Sequence, residues 1–310
     1  MFNKQLFAYW DDENELPILE RKCIDSWKNN LDSSWKINIL RKSNLQNYLD
    51  KNDLPSNFDE LDSAQRRSDA VRLALLSKYG GIYLDCSVIL RENLDWVQKV
   101  MKKENLSFFA ETHDPLKRTH SVWFLAALPG SKFMKSWSKE ANKEMENIKN
   151  LKYDRIQNLS PIVRDSMSKK EQNKIGFIDS SENGLCLVKG KLNLNSGPIE
   201  NISYEELNKH ENKLGHKVRL IKLNRNPRNE IREFLKGKKS LKNNSAIVQI
   251  LKENQTNKNI DRTKSSNIKV LKTNETVGKN VSIVAVTIIL FVIAIFLFFI
   301  FFNYNKRNKN

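Results

Sequence analysis

Residues 68–87 decide the fold, and they read SDAVRLALLSKYGGIYLDCS. The apolar spacing predicts an amphipathic helix from about Asp59 to Tyr79, which Gly80-Gly81 ends. Ile82–Leu84 predicts a short buried strand, and Asp85 follows where that strand ends. Open α/β sheets bind ligands at the carboxyl ends of their strands, so this stretch predicts a binding site.

Further strands and helices alternate on either side of this stretch. Strands are predicted at Leu6–Trp10, Trp35–Leu40, Leu106–Ala110, Val122–Ala127 and Val218–Leu223, and helices within 131–150 and 160–173. This alternation is typical of a mostly parallel α/β sheet.

The basic charge is concentrated in the C-terminal quarter of the chain. Residues 236–310 contain 14 Lys or Arg and three acidic residues, so they hold +11 of the net charge of +17. Residues 1–235 are only mildly basic. The sequence pI of about 9.6 would suggest a nucleic-acid-binding protein. Because most of the charge lies outside residues 1–235, this function is only the second alternative, and no nucleic-acid partner is expected.

Residues 281–302 form an apolar run whose only polar members are Ser282 and Thr287. As a helix it would extend about 33 Å, the thickness of a bilayer core. We expect a single-pass C-terminal membrane anchor there, preceded by a basic flexible stalk at 236–280 and followed by a short basic tail at 303–310. The first residues lack the basic and apolar pattern of a signal peptide, so the domain before the stalk is expected in the cytosol.

Several motifs occur together in a fixed order: Tyr9-Trp10, Ser68-Asp69-x-x-Arg72, Gly80-Gly81-Ile82-Tyr83-Leu84-Asp85, and the segment from His120 to Gly130. Over roughly residues 4–225 the chain resembles GT-A glycosyltransferases, and most of all the capsular polysaccharide synthesis type and related DXD sugar-transfer families. The resemblance implies a GT-A domain at 1–235, an α/β fold with a Rossmann-like mixed sheet. It also implies transfer of a sugar from a nucleotide diphosphate sugar, with a UDP-sugar favoured, to a glycan, lipid or protein acceptor.

The resemblance also implies roles for individual residues. The donor-binding residues are Trp10, Asp69, Arg72, Tyr83, Asp85 and Ser87. Asp85 corresponds to the first Asp of the DXD motif and would contact Mn²⁺ or Mg²⁺, the hard cations that carboxylate and phosphate oxygens bind. Simpler structural interpretations stay open: a turn-capping Asp85, a helix-surface ion pair of Asp69 and Arg72, and a core Trp10.

The motif departs from Asp-x-Asp, because it reads Asp85-Cys86-Ser87. A hydroxyl is a weaker metal ligand than a carboxylate, so strict metal dependence is in doubt. Other ligands would have to come from later acidic residues such as Glu111, Asp114 or Asp179. A non-catalytic, membrane-anchored binding protein of the same fold is therefore the first alternative function.

Three more polar residues are ambiguous. His113 and His120 flank a loop that could reach the acceptor, although isolated histidines are more often structural. Lys222 resembles a late Lys-Leu element of the family and would contact phosphate, or it is a lysine on a strand surface. The sequence assigns no catalytic base.

Overall fold

The structure is a computed structural model that describes residues 2–112, 120–147, 152, 154–179, 186–188, 202–215, 217–223, 225–241, 245–256 and 271–272. Within these ranges no helix has both the length and the apolar character needed to cross a membrane. The expected span at 281–302 lies outside the described residues, as does most of the expected stalk.

The described strands are β1 (Gln5–Tyr9), β2 (Lys36–Leu40), β3 (Gly81–Leu84), β4 (Val88–Leu90), β5 (Phe108–Thr112), β6 (Phe124–Ala127), β7 (Ile175–Asp179), β8 (Cys186–Val188), β9 (Leu220–Lys222) and β10 (Leu271–Lys272). The helices are α1 (Ile18–Asn30), α2 (Lys42–Leu45), α3 (Ala64–Tyr79), α4 (Asp95–Lys103), α5 (Lys132–Asn147), α6 (Arg155–Asp165), α7 (Lys169–Gln172), α8 (Tyr204–Leu214), α9 (Arg225–Leu235) and α10 (Ala246–Thr256). Short 3₁₀ turns occupy Lys51–Asp53 and Phe58–Glu60.

In the described part of the chain, seven strands form one mixed sheet in the order β10-β7-β5-β6-β3-β1-β2. Strand β1 is parallel to β2 and β3, whereas β6 is antiparallel to both β3 and β5. The α/β class with a mixed sheet is confirmed. A second sheet, β4-β9-β8, lies beyond the carboxyl end of β3, where the chain leaves the main sheet.

Helices cover both faces of the main sheet. On β1, Phe7 packs in a core with α3, α5 and α6, while Leu6 and Ala8 pack in a second core with α1 and α4. Neighbouring side chains of a strand point to opposite faces, so a strand buried on both faces must be apolar at every position. This explains the apolar run of β1 from Leu6 to Tyr9, which follows the half-buried Gln5.

Gly80 and Gly81 are required by close backbone approach. Their φ values are +66° and +93°. A Cβ on Gly80 would lie 2.5 Å from the backbone nitrogen of Pro129, and one on Gly81 would lie 2.6 Å from the carbonyl oxygen of Gln5. The two glycines therefore let β3 enter the sheet directly after α3.

Helix α3 begins later than the sequence predicted. It starts at Ala64 rather than near Asp59, because the Ser63 hydroxyl caps it by accepting a hydrogen bond from the Arg66 backbone nitrogen at 3.3 Å. The helix predicted within 160–173 is likewise two helices, α6 and α7, separated at residues 166–168.

One segment of the stalk expected at 236–280 is a packed helix. Helix α10 lies within the expected flexible stalk, yet Ala246, Ile247 and Ile250 are buried in a third core shared with α1, β9 and α9. The Ala246 backbone nitrogen also donates to the Ile202 carbonyl at 2.8 Å. The weak apolar patch at 246–251 thus supplies a helix face that packs on the domain.

Candidate active site

Arg72 is the centre of the candidate site, on the buried face of α3. Its guanidinium donates to the Val122 carbonyl at 2.7 Å, to the Ser68 carbonyl at 3.1 Å and to the Ser68 hydroxyl at 2.6 Å. Its Cζ lies 4.8 Å from the ring centroid of Tyr83, whose hydroxyl is 3.0 Å from the Ser68 hydroxyl. Tyr83 is fully buried and supports the guanidinium, so these contacts fix Arg72 in one orientation.

Two carboxylates flank this guanidinium. Asp69 lies 3.5 Å and Asp85 3.3 Å from nitrogens of Arg72. Asp69 and Arg72 are each only 4% exposed, so they do not form the helix-surface pair that their i, i+3 spacing also permits.

Asp69 has an acceptor to spare. Its Oδ1 atom is buried and accepts no hydrogen bond from the described residues. Burial raises the pKa of Asp69 to about 6, although the Arg72 charge opposes that rise. A buried acceptor without a donor is costly for a fold. The same Oδ1 atom lies 3.5 Å from Arg72, so the guanidinium charge offsets part of that cost.

Asp85 lies at the end of β3 and is partly open to solvent, with 24% of its side chain exposed. One carboxylate oxygen faces Arg72 and the other is in close contact with Lys222 Nζ, which also donates to the Ser87 hydroxyl at 2.9 Å. Burial would raise the pKa of Asp85, but the charges of Lys222 and Arg72 outweigh it and hold that pKa below the usual aspartate value.

Strand pairing in the second sheet brings Lys222 to the motif. Strand β9 runs antiparallel to β4 with Lys222 opposite Val88, and the Leu223 backbone nitrogen donates to the Ser87 carbonyl at 3.0 Å. Lys222 therefore belongs to the site rather than to a solvent-facing strand surface. The lysine is 135 positions from Ser87 in the sequence, so no local pattern could have predicted the contact.

Trp10 lies at the carboxyl end of β1, on the same edge of the sheet as Asp85. It is partly buried, and its Nε1 atom is shielded from water with no acceptor among the described residues. The next residue, Asp11, binds Arg67 of α3 through two contacts of 2.7 Å and accepts from the Tyr9 hydroxyl at 2.8 Å. This link joins the end of β1 to the first turns of α3.

The histidine and acidic candidates have different outcomes. His120 is fully buried, its Nδ1 lies 3.1 Å from the Ser160 hydroxyl, and burial lowers its pKa to about 3. His120 is therefore a core residue and does not reach an acceptor substrate. Glu111 is fully buried and accepts from Trp123 Nε1 at 3.0 Å. His113, Asp114 and the side chain of Asp179 lie outside the described residues.

The described residues do not fit the Mn²⁺ or Mg²⁺ expected at Asp85. Both Asp85 oxygens and the Ser87 hydroxyl already face the cations Arg72 and Lys222. Nowhere in the described ranges do three His, Cys, Asp or Glu side chains gather as a metal would require. A hard divalent cation needs several oxygen ligands, and a carboxylate held between two cations is a poor one.

The fold and these residues define an α/β domain with a polar site of buried, paired charges at the carboxyl end of its central strands. The sequence profile of the capsular polysaccharide synthesis protein family matches residues 1–170, and the chain belongs to that family. This match confirms the resemblance found from the motifs. It includes every predicted donor-binding residue but not Lys222.

The chain is also similar to characterised glycosyltransferases. It is 29% identical over 153 residues to the O-glycosyltransferase braB of Annulohypoxylon truncatum, a match that covers 44% of this chain and 36% of that protein. The chain thus spans little more than a third of the length of this curated relative.

Two solved structures are among those to which the chain is similar. One is a glycosyltransferase involved in glycosylation of the major capsid of PBCV-1, with 8% identity, a TM-score of 0.44, and coverage of 75% of this chain and 98% of that chain. The other is mouse xyloside xylosyltransferase 1, with 10% identity, a TM-score of 0.40, and coverage of 72% and 98%.

Proposed function

We propose that this protein is a membrane-tethered glycosyltransferase that moves a sugar from a nucleotide diphosphate sugar to a glycan, lipid or protein acceptor. A UDP-sugar is the favoured donor. The observation that carries the proposal is the Asp69–Arg72–Asp85 group beside the carboxyl end of β3, in which Asp69 and Arg72 are buried and Asp85 is partly open to solvent.

Each residue of this group has a chemical role in the proposal. Asp69 accepts a hydrogen bond from a hydroxyl of the donor sugar, which satisfies its orphaned oxygen. Arg72 holds Asp69 and Asp85 in place, and Asp85 receives a ribose or sugar hydroxyl at its solvent-open side. Trp10, at the neighbouring strand end, stacks on the base of the nucleotide.

In the transfer step, the bond between the anomeric carbon and the phosphate oxygen breaks, and its electron pair stays on the nucleoside diphosphate. The acceptor hydroxyl oxygen forms the new bond to that carbon and releases its proton to water. The protein accelerates this step by orienting the donor and by placing positive charge where the leaving diphosphate gains negative charge.

A donor screen on the full chain in detergent tests the proposal. We expect release of nucleoside diphosphate from at least one member of a panel of UDP-, GDP-, CDP- and dTDP-sugars, and a large loss of release in Asp85→Asn. The matched control is Asp62→Asn, because Asp62 forms an exposed pair with Arg66 outside the site. Turnover that is equal in wild type and Asp85→Asn for every donor would refute the enzyme and favour the non-catalytic binding protein.

The membrane part of the proposal rests on residues 281–302. In this proposal the apolar run spans the bilayer, the domain faces the cytosol, and basic residues between the domain and the span hold it near anionic lipid headgroups. Each Lys or Arg close to such a surface contributes about 1 kcal/mol. Such a position suits a membrane-bound or membrane-proximal acceptor.

A further inference from the structure

Lys222 has a hydrogen-bond donor left over. An ammonium group carries three N–H donors, and among the described residues Lys222 donates to two acceptors, Asp85 and Ser87. Its side chain is 12% exposed and that of Asp85 is 24% exposed, so the pair borders solvent. A ligand oxygen can therefore reach the third donor without breaking the existing contacts.

Arg228 is a second cation in the same region, on the helix that follows β9. Its Nε is shielded from water and finds no acceptor among the described residues, and its only described ion contact is to Glu20 at 3.8 Å. Glu20 is fully buried and is bound more closely by Arg232. Arg228 is therefore not needed to neutralise Glu20, and it retains hydrogen-bonding capacity.

The charge of Arg228 acts on the site. It contributes to lowering both the pKa of Asp85 and the pKa of Lys222. Burial is the main cause of the lowered pKa of Lys222, and Asp85 opposes it. Lys222 on β9 and Arg228 on the helix that follows β9 are thus two cations with unused donors, and Lys222 contacts the carboxylate expected to hold a metal.

We propose that Lys222 and Arg228 bind the diphosphate of the donor and replace the divalent cation expected at Asp85. This inference rests on the proposed function. When the anomeric carbon–oxygen bond breaks, the electron pair passes to the terminal phosphate, and the two side chains neutralise the charge that develops there. Asp85 and Ser87 then serve to position the Lys222 ammonium, which accounts for the Ser87 hydroxyl in place of the second carboxylate of the motif.

The experiment measures binding of UDP and uridine to the purified full chain by calorimetry, in EDTA and in Mn²⁺. We expect UDP to bind in EDTA within about threefold of its affinity in Mn²⁺. Lys222→Met and Arg228→Met should each weaken UDP binding about tenfold or more, because each removes a charged hydrogen bond. Uridine carries no phosphate, so its affinity should stay within about twofold in both variants.

Matched controls separate phosphate binding from structural effects. Lys236→Met is the control for Arg228→Met, because Lys236 directly follows the same helix and forms an exposed pair with Glu233 away from Glu20. Lys236→Met should leave UDP binding unchanged. Asp85→Asn is the background for testing Lys222. If Lys222 only neutralised the Asp85 charge, Lys222→Met would have no further effect on UDP binding once that charge is removed. We expect Asp85→Asn with Lys222→Met to bind UDP more weakly than Asp85→Asn alone.

The other outcomes are distinct. UDP binding that requires Mn²⁺ would overturn this inference and leave the proposed function standing. The inference would also fail if Arg228→Met matched Lys236→Met or the double variant matched Asp85→Asn. If none of UDP, GDP, CDP and dTDP bound in either condition, the proposed function would fall and this inference with it.

Discussion

Replacing Asp69 with Asn is expected to stabilise the protein at neutral pH. Asp69 is almost fully buried, and one of its oxygens has no donor among the described residues. Asn has nearly the same shape and keeps an acceptor oxygen, but it carries no charge. The substitution therefore removes the cost of a desolvated carboxylate and little else.

The magnitude follows from the pKa of Asp69, which burial raises from 3.8 to about 6. Each pKa unit corresponds to about 1.4 kcal/mol, so ionisation of Asp69 in the folded state costs about 3 kcal/mol. The folded protein binds this proton more tightly than the unfolded chain does. The contribution of protonated Asp69 to the free energy of unfolding is therefore complete below pH 3.8 and is lost as the pH rises to about 6.

Urea unfolding followed by tryptophan fluorescence measures this effect. All six tryptophans lie between residues 10 and 137, so the signal reports on the domain even in the full chain in detergent. The advantage of Asp69→Asn over wild type should grow between about pH 4 and pH 6 and stay constant near 3 kcal/mol above that range.

Asp11→Asn is the control of opposite sign. Hydrogen bonds from Arg67 lower the pKa of Asp11 despite its partial burial, so this carboxylate stabilises the fold when ionised. Asp11→Asn should destabilise the protein at pH 7, by an amount that shrinks as the pH falls. An Asp69→Asn variant that is no more stable than wild type at pH 7, or whose advantage does not depend on pH, would refute the electrostatic reasoning.

Three further predictions concern the backbone, the base and the membrane. Gly81→Ala should destabilise the domain by about 2–5 kcal/mol, because it adds a clash with a β1 carbonyl to the strain of a positive φ. The control Gly130→Ala has open space around its Cβ and should destabilise the domain by only about 1–2 kcal/mol. Equal losses of stability in urea unfolding would contradict the close approach of Gly81 to β1. Trp10→Leu should weaken UDP binding about tenfold or more and Trp10→Phe much less, because only an aromatic ring stacks on a base. Calorimetry measures this, and unchanged UDP binding in Trp10→Leu would show that Trp10 is only a core residue. Deleting 281–302 should move the protein from the carbonate-resistant membrane fraction to the soluble fraction, and a full chain that is already soluble would remove the case for a span.

Local patterns predicted the parts of the fold that depend on local chemistry. The Gly80-Gly81 break, the strand after it and Asp85 at its end all follow from residues adjacent in sequence. The start of α3 was predicted too early, because one capping serine outweighs the apolar spacing before it. Helix α10 was missed because its apolar face is short and gains its stability from contacts with distant elements.

The residues of the candidate site were also predictable from the sequence only in part. Asp69 and Arg72 were predictable as a pair from their spacing on one helix, but their burial depends on how α3 packs against the sheet. Lys222 was recognisable only as a strand residue, because its contact with Asp85 is set by the register of β9 on β4. Arg228 gave no signal at all, since an arginine on an amphipathic helix is ordinary in any sequence.

The site is built from two parts of the chain with complementary charge. Residues 1–170, which match the family, contribute both carboxylates and Arg72. The later segment from β9 to α9 contributes Lys222 and Arg228, and it is fastened to the first part by the β4–β9 pairing and by the contacts of Glu20 with α9. Glu20 stays paired with Arg232 when Arg228 is engaged elsewhere, so this attachment can persist while Arg228 binds an anion. A donor that bridges Asp69 through its sugar and Lys222 through its phosphate would join both parts, which is why sugar and phosphate recognition should be separable by mutation.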